Sequence, residues 1–247
     1  MYDTRLWDVL RDWKTPEYEW VDLSFEVSAE TPHLVEFPPL THSPVLNYAE
    51  HDCIVDLYSV VSQYGTHVDP PVHFIPGGRT LDQIGLYEMA YPLCVVDVTD
   101  KVSENSDYGL CVADIEEWES KYGRIPDGAF VAMRTGWSET PPDRYNGLDE
   151  NGVNHNPGWT DEVLKFLIEE RGIGAIGHEP SDTDTGESIR TRGWATEKYY
   201  LGFDKIQIEM LRNLDRLPPV GAIIFCTFPR IKGGMGFTAR CFAIFPK

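Results

Sequence analysis

The chain has 247 residues, 42% of them hydrophobic, with 40 acidic against 21 basic side chains and a formal net charge of −19. This length and apolar content supply one large core, so a single domain is expected over residues 1–247, with residues 1–20 as an N-terminal helical arm. Such acidity repels a phosphate backbone, so no nucleic-acid partner is expected.

No apolar stretch reaches the roughly 18 residues of a membrane span, and Met1-Tyr2-Asp3-Thr4-Arg5 lacks the apolar core of a signal peptide. No membrane association and a cytoplasmic location are therefore expected. The cysteines at 53, 94, 111, 226 and 241 are odd in number and lack any C-x-x-C pair, which points to reduced thiols rather than a disulfide framework.

Leu6, Val9, Leu10 and Trp13 recur at helical spacing and predict an amphipathic helix over residues 4–13. Runs rich in β-branched or aromatic residues predict strands near 20–27, 53–61, 92–98, 129–134, 173–177, 205–209, 220–227 and 240–245. Thr80 and Gln83 form a capping-box pattern, a helix is expected over Ala113 to Tyr122, and another starts at Thr160 and ends before Gly172. Residues 138–160 carry Asn146-Gly147, Asn151-Gly152 and Asn156-Pro157-Gly158 and predict a long irregular loop. Too few helices separate the strands for a doubly wound parallel sheet, so an α/β fold of mixed sheets with outer helices is expected. Four tryptophans, Trp7, Trp13, Trp137 and Trp159, offer flat apolar surfaces for an aromatic substrate.

The run Gln63-Tyr64-Gly65-Thr66-His67-Val68-Asp69-Pro70-Pro71-Val72-His73 carries the most chemistry. In an extended backbone residues i and i+2 share a face, so His67 and Asp69 offer an imidazole and a carboxylate to one cation. Pro70-Pro71 removes two backbone donors and predicts a turn that brings His73 back over the site as a base or an outer partner. Burying three such groups without partners costs on the order of 2 kcal/mol or more each, so solvent, a tight network or a metal must satisfy them.

This run resembles the signature H-x-G-T-H-x-D-x-P-x-H of the cyclase family, metal-dependent amide hydrolases that include bacterial kynurenine formamidases and isatin hydrolases. Gln63 stands where the first histidine belongs. The resemblance runs from about Val21 to the C-terminus through Asp22-Leu23-Ser24, Arg134-Thr135-Gly136-Trp137, Ile176-Gly177-His178-Glu179 with Asp182-Thr183-Asp184, Glu209 to Asp215, and Gly233 to Arg240. It implies a swivelling β/β/α fold, oligomers such as a dimer or tetramer, and a metal-activated water that attacks a carbonyl.

In the two-zinc branch a glutamate matching Glu209 bridges both ions, and a histidine twelve positions upstream binds the second. Here that position is Glu197. With Gln63 and Glu197 replacing two histidines, one divalent ion is expected, Mn2+ favoured and Zn2+ the alternative, as in the isatin hydrolase branch. The alternation in Lys205-Ile206-Gln207-Ile208-Glu209 places Gln207 and Glu209 on one face, and either can supply the next ligand beside His67 and Asp69.

His73 is then the general base, and His178 or Gln63 a donor to the oxyanion, with His178 equally a further ligand. The expected substrate is a small aromatic or cyclic amide. N-formylkynurenine, a lactone, or a metal-binding homologue without catalysis are the other readings. Neither G-x-S-x-G nor H-E-x-x-H occurs, so serine-hydrolase and zincin chemistry lack their motifs.

Overall fold

The computed structural model describes residues 2–247. Helix α1 (Arg5–Trp13) leads into strand β1 (Tyr18–Asp22); β2 (Thr41–Leu46), helix α2 (Tyr48–His51) and β3 (Val55–Ser59) form a hairpin ahead of β4 (His67–Asp69). Next come β5 (Ala90–Asp97), α3 (Thr99–Glu104), β6 (Gly109–Leu110), α4 (Val112–Tyr122), β7 (Phe130–Arg134), β8 (Gly158–Trp159), α5 (Asp161–Glu169) and β9 (Ala175–His178). Helices α6 (Gly186–Arg192) and α7 (Ala195–Leu201) then precede β10 (Gln207–Glu209), β11 (Ala222–Thr227), β12 (Phe237–Thr238) and β13 (Arg240–Pro246).

Nine strands make one mixed sheet in the order β1-β13-β11-β5-β7-β9-β10-β4-β12. Neighbours from β5 to β10 run parallel and the others antiparallel. Period-two alternation divides β5 between two cores: Leu93 and Val95 join one, Cys94 and Val96 the other. The second core is closed by Ile115 and Trp118 of α4, Val163, Leu164 and Leu167 of α5, and Tyr200 of α7. In the first, Val21 from one end of the sheet and Val68 from near the other meet in a single apolar cluster, so the sheet curls. This mixed, curled sheet with outer helices is the α/β class expected.

Some boundaries differ from the sequence reading for local reasons. The strand expected over 20–27 stops at Asp22, whose Oδ1 accepts from Ser24 N at 3.2 Å and turns the chain. The Thr80–Gln83 capping box closes only a 3-10 turn at Leu81–Gln83, because Ile84 is already extended. Within 138–160 the irregular backbone holds two 3-10 turns and ends in β8. Helices α6 and α7 have no counterpart in the sequence reading; they are short and polar, and Gly193 separates them.

Two elements pack on little of this chain. Helix α1 buries no residue, and the β2–β3 hairpin exposes Val45, Val55, Leu57 and Tyr58. Among the described residues no helix is long and apolar enough to cross a membrane.

Candidate active site

Strands β4 and β10 pair antiparallel in the register His67↔Glu209, Val68↔Ile208, Asp69↔Gln207. The pleat therefore gathers His67, Asp69, Gln207 and Glu209 on one face while Val68 and Ile208 enter the core. All four polar side chains are buried. His67 Nδ1 lies 2.8 Å from Gly65 O, and a carbonyl only accepts, so Nδ1 carries the hydrogen. Nε2 then faces Asp69 Oδ2 and Glu209 Oε2, each at 3.4 Å. Gly65 makes this approach with φ +57°, and a side chain there would meet Thr31 Cγ2 at 2.8 Å.

After Pro70 the chain turns through a 3-10 segment, Pro71–His73, which returns His73 to the same cavity. His73 Nε2 lies 4.0 Å from Asp69 Oδ1 and 3.9 Å from Glu197 Oε1, and its ring meets the edge of Phe74. Glu197 is set by the start of α7, where Asp184 Oδ2 accepts from Glu197 N and Oδ1 from Thr196 N, both at 2.9 Å. The amide of Gln207 links the acids: Nε2 donates to Glu197 Oε1 at 2.8 Å, Glu209 Oε1 at 3.0 Å and Asp69 Oδ2 at 3.3 Å. Its Oε1 accepts from Thr183 Oγ1 at 2.8 Å, so the amide oxygen is turned away from His67. Gln63 Nε2 donates to Asp69 Oδ1 and Met235 O, both at 3.1 Å, and its Oε1 accepts from Ser62.

His178 occupies a different position from His67. Trp159 Nε1 donates to its Nδ1 at 3.1 Å, and because indole is only a donor the imidazole proton sits on Nε2. Nε2 lies 3.3 Å from Glu209 Oε1 but off the hydrogen-bond axis, and is left as a buried donor without a partner. His178 is fully buried behind Glu209 and does not line the cavity.

The electrostatics favour a cation. Burial, then Glu209 and Asp69, pushes Glu197 well above the usual carboxylate range. Burial and then Glu209 push Asp182 up to about 8. Burial alone would raise Asp69, but His67 overrides it and holds the carboxyl at about 2. Burial works to lower His67, and its two carboxylate neighbours overcome this and raise it well above its ordinary value. No Lys or Arg lines the cavity to offset these acids. One oxygen or nitrogen from each of His67, Asp69 and Glu209 lies within 4.8 Å of the others, and the same holds for Asp69, His73 and Glu197. An imidazole nitrogen facing two carboxylates, which gives its lone pair to a cation once the cation displaces its proton, is a donor set suited to a divalent ion of borderline to hard character.

The cavity above this face holds about 560 Å³ and is walled by Leu34, Phe37, Phe74, Ile189, Trp194 and Met210. Gln63, His67, His73 and Glu209 line it; Gln207 lies beneath. None of the four tryptophans singled out from the sequence is on its wall. Trp159 is buried as the partner of His178, Trp137 Nε1 donates to Tyr145 O at 2.9 Å, Trp13 packs edge-on to Phe225, and Trp7 is exposed on α1. The tryptophan that does reach the cavity is Trp194, whose indole N–H bonds Asp182.

Residues 21–185 match the model of the Cyclase family. The chain belongs to the Cyclase family. Within the family it is 31% identical over 191 residues to the isatin hydrolase of Roseibium aggregatum, a match covering 74% of this chain and 72% of that one. Isatin hydrolase A from Labrenzia aggregata, solved bound to benzyl benzoate, superposes with a TM-score of 0.91 at 30% identity, covering 98% of this chain and 100% of that chain. An isatin hydrolase solved with the product analogue thioisatinate gives 0.89 at 25% identity, with 100% of both chains covered.

Proposed function

We propose that this chain hydrolyses the C–N bond of a small aromatic cyclic amide, isatin being the first candidate, using one divalent cation, with Mn2+ preferred over Zn2+. The observation that carries the reading is the β4–β10 register, which joins buried Asp69 to His67 and Glu209 at the edge of an apolar cavity that His73 also lines. The likeness to isatin hydrolases over nearly the whole chain supports the same chemistry.

The chain is a metal-dependent amide hydrolase in this reading, and its residues divide the work. His67 Nε2, Asp69 and Glu209 would hold the cation, which when bound polarises the substrate carbonyl and lowers the pKa of water. His73 Nε2, at the cavity wall, takes a proton from the attacking water and returns it to the leaving nitrogen. Gln207 holds Asp69, Glu197 and Glu209 in register through its amide N–H groups. His178, fixed by Trp159, sets its Nε2 N–H behind the Glu209 carboxylate at 3.3 Å as an outer partner for that ligand. Phe37, Phe74, Leu34 and Met210 exclude water around a planar ring.

An even-numbered homo-oligomer accompanies this reading. The uncovered apolar faces of α1 and the β2–β3 hairpin support it. The function is tested by ring-opening of isatin, followed by the loss of its visible absorbance, beside N-formylkynurenine and an aromatic lactone. Fastest turnover of isatin is expected; fastest turnover of N-formylkynurenine or of the lactone reassigns the substrate.

A further inference from the structure

Asp182 and Trp194 stand on the cavity wall and have no part in the cation site. Asp182 is 6% exposed; its Oδ1 accepts from Trp194 Nε1 at 2.8 Å and its Oδ2 from Ser181 Oγ at 3.3 Å. A buried acid with no basic side chain beside it is costly, and its place on a cavity wall points to a ligand group that meets it. The indole N–H only donates, so Oδ1 is an acceptor whether or not the carboxyl is protonated, and it keeps a second lone pair.

A cyclic aromatic amide brings an N–H fixed beside its carbonyl. With the carbonyl directed to the His67–Asp69–Glu209 face, that N–H needs an acceptor on the wall. The other side-chain oxygens of the wall have different surroundings. Glu197 and Glu209 accept from Gln207, Gln63 Oε1 from Ser62, and Asn146 Oδ1 from Val35 N at 3.3 Å. Asn154 Oδ1 lacks a partner but is sealed from solvent, and Glu36 is exposed. Asp182 is set apart by its donors, because neither Trp194 nor Ser181 belongs to the Gln207 network that joins the acids of the cation face.

We propose that Asp182, oriented by Trp194, accepts the N–H of the bound amide, so that the cavity selects N–H amides over N-substituted amides and lactones. The proposal rests on the amide-hydrolase reading and names its substrate class more closely. Trp194 acts as a positioning residue: its indole fixes which carboxyl oxygen faces the ligand.

The test is calorimetric binding of oxindole and of N-methyloxindole to the manganese-loaded full chain, with isatin turnover measured separately. Oxindole is expected to bind about tenfold or more tightly than its N-methyl analogue, the worth of one hydrogen bond to a carboxylate. In Asp182→Asn the amide oxygen must turn to the Trp194 donor and leave its NH2 facing the ligand N–H. The preference should then fall to about threefold or less, through oxindole alone. Trp194→Phe, which keeps an apolar wall but frees Asp182, should also lower the ratio and serves if the first variant does not fold. An unchanged ratio in these variants, an equal weakening of both ligands, or no binding of either ligand overturns the proposal. A chain that shows the N–H preference but opens no isatin keeps this inference and loses the hydrolase reading; isatin turnover without the preference does the reverse.

Discussion

His67 and His178 approach the two oxygens of Glu209 from different sides and in opposite tautomers. His67 Nε2 lies 3.4 Å from Oε2, with its hydrogen on Nδ1 toward Gly65 O, whereas His178 Nε2 lies 3.3 Å from Oε1 and carries the hydrogen because Trp159 donates to its Nδ1. One ring can thus give its Nε2 lone pair to a cation that displaces its proton, and the other keeps an N–H toward Glu209. This asymmetry assigns the two histidines different work around a single carboxylate.

Metal content should follow that division. Asp69→Asn and Glu209→Gln are expected to abolish tight Mn2+ binding, while Gln207→Met and Trp159→Phe should weaken it by about 10- to 100-fold, the usual effect of removing a group that orients a ligand. Trp159→Phe should also cost about 1–3 kcal/mol of stability by leaving a buried acceptor on His178 unpaired. Elemental analysis and chelator competition check this series. Full metal affinity in Glu209→Gln would remove Glu209 from the ligand set.

His73→Ala should keep its metal and lose turnover by about 10² to 10⁴, the range for a positioned proton-transfer group. The geometry motivating this is its place on the cavity wall, near Asp69 and Glu197 but outside the His67–Asp69–Glu209 trio. Rate measurement at matched manganese occupancy decides it, and an unchanged rate contradicts the role.

Several parts of this site are legible in the chain itself, and others are not. The H-x-D spacing and the alternation of Gln207 and Glu209 each specify a face, and the Pro70-Pro71 break specifies a turn, because strand period and proline geometry are local properties. That β4 and β10 meet in the register His67↔Glu209 is a long-range pairing with no local signature. The same holds for Asp182, whose partner Trp194 is twelve residues away and reached only once α6 and α7 fold. Trp159 illustrates the limit most clearly: a tryptophan at the end of a polar loop reads as a flat face for an aromatic substrate, yet its indole is buried as the donor to His178. Strand β2 escaped notice because Thr41 to Leu46 contains a proline and faces solvent, so no hydrophobic alternation marks it.

The metal-free chain should lose stability as pH rises. Asp182 sits at about 8 in the fold, chiefly through burial, against 3.8 when free, so the folded state holds a proton that the unfolded chain has released between those values. That contribution is complete below about pH 4 and lost as pH passes through about 8. His67, raised well above 6.5 by its carboxylate neighbours against the effect of burial, adds to the decline above its unfolded value. Asp69 works oppositely and only in acid: held at about 2, it contributes above 3.8 and is lost as pH falls through about 2. Thermal melts of the chelated protein are expected to give a lower midpoint at about pH 9 than at about pH 6, with excess Mn2+ flattening the difference. A midpoint that rises over that interval contradicts the assignment.

Removing residues 2–14 should weaken self-association without removing the metal. Helix α1 has no fully buried residue in its own chain, Leu6 and Trp7 stay exposed, and covering one such side chain is worth about 1.5–3 kcal/mol. Sedimentation of the full and shortened chains at micromolar concentration checks this. A full-length monomer rejects the oligomer, and an unchanged assembly after the deletion assigns the contact to the β2–β3 hairpin.

One cation on His67, Asp69 and Glu209 is proposed to make this chain an amide hydrolase. This is tested most directly by titrating the chelated protein with Mn2+ while following isatin ring-opening. A negligible rate is expected without metal, with a linear rise that breaks at one equivalent per chain. Undiminished turnover by the chelated chain, or a break at two equivalents, would contradict it.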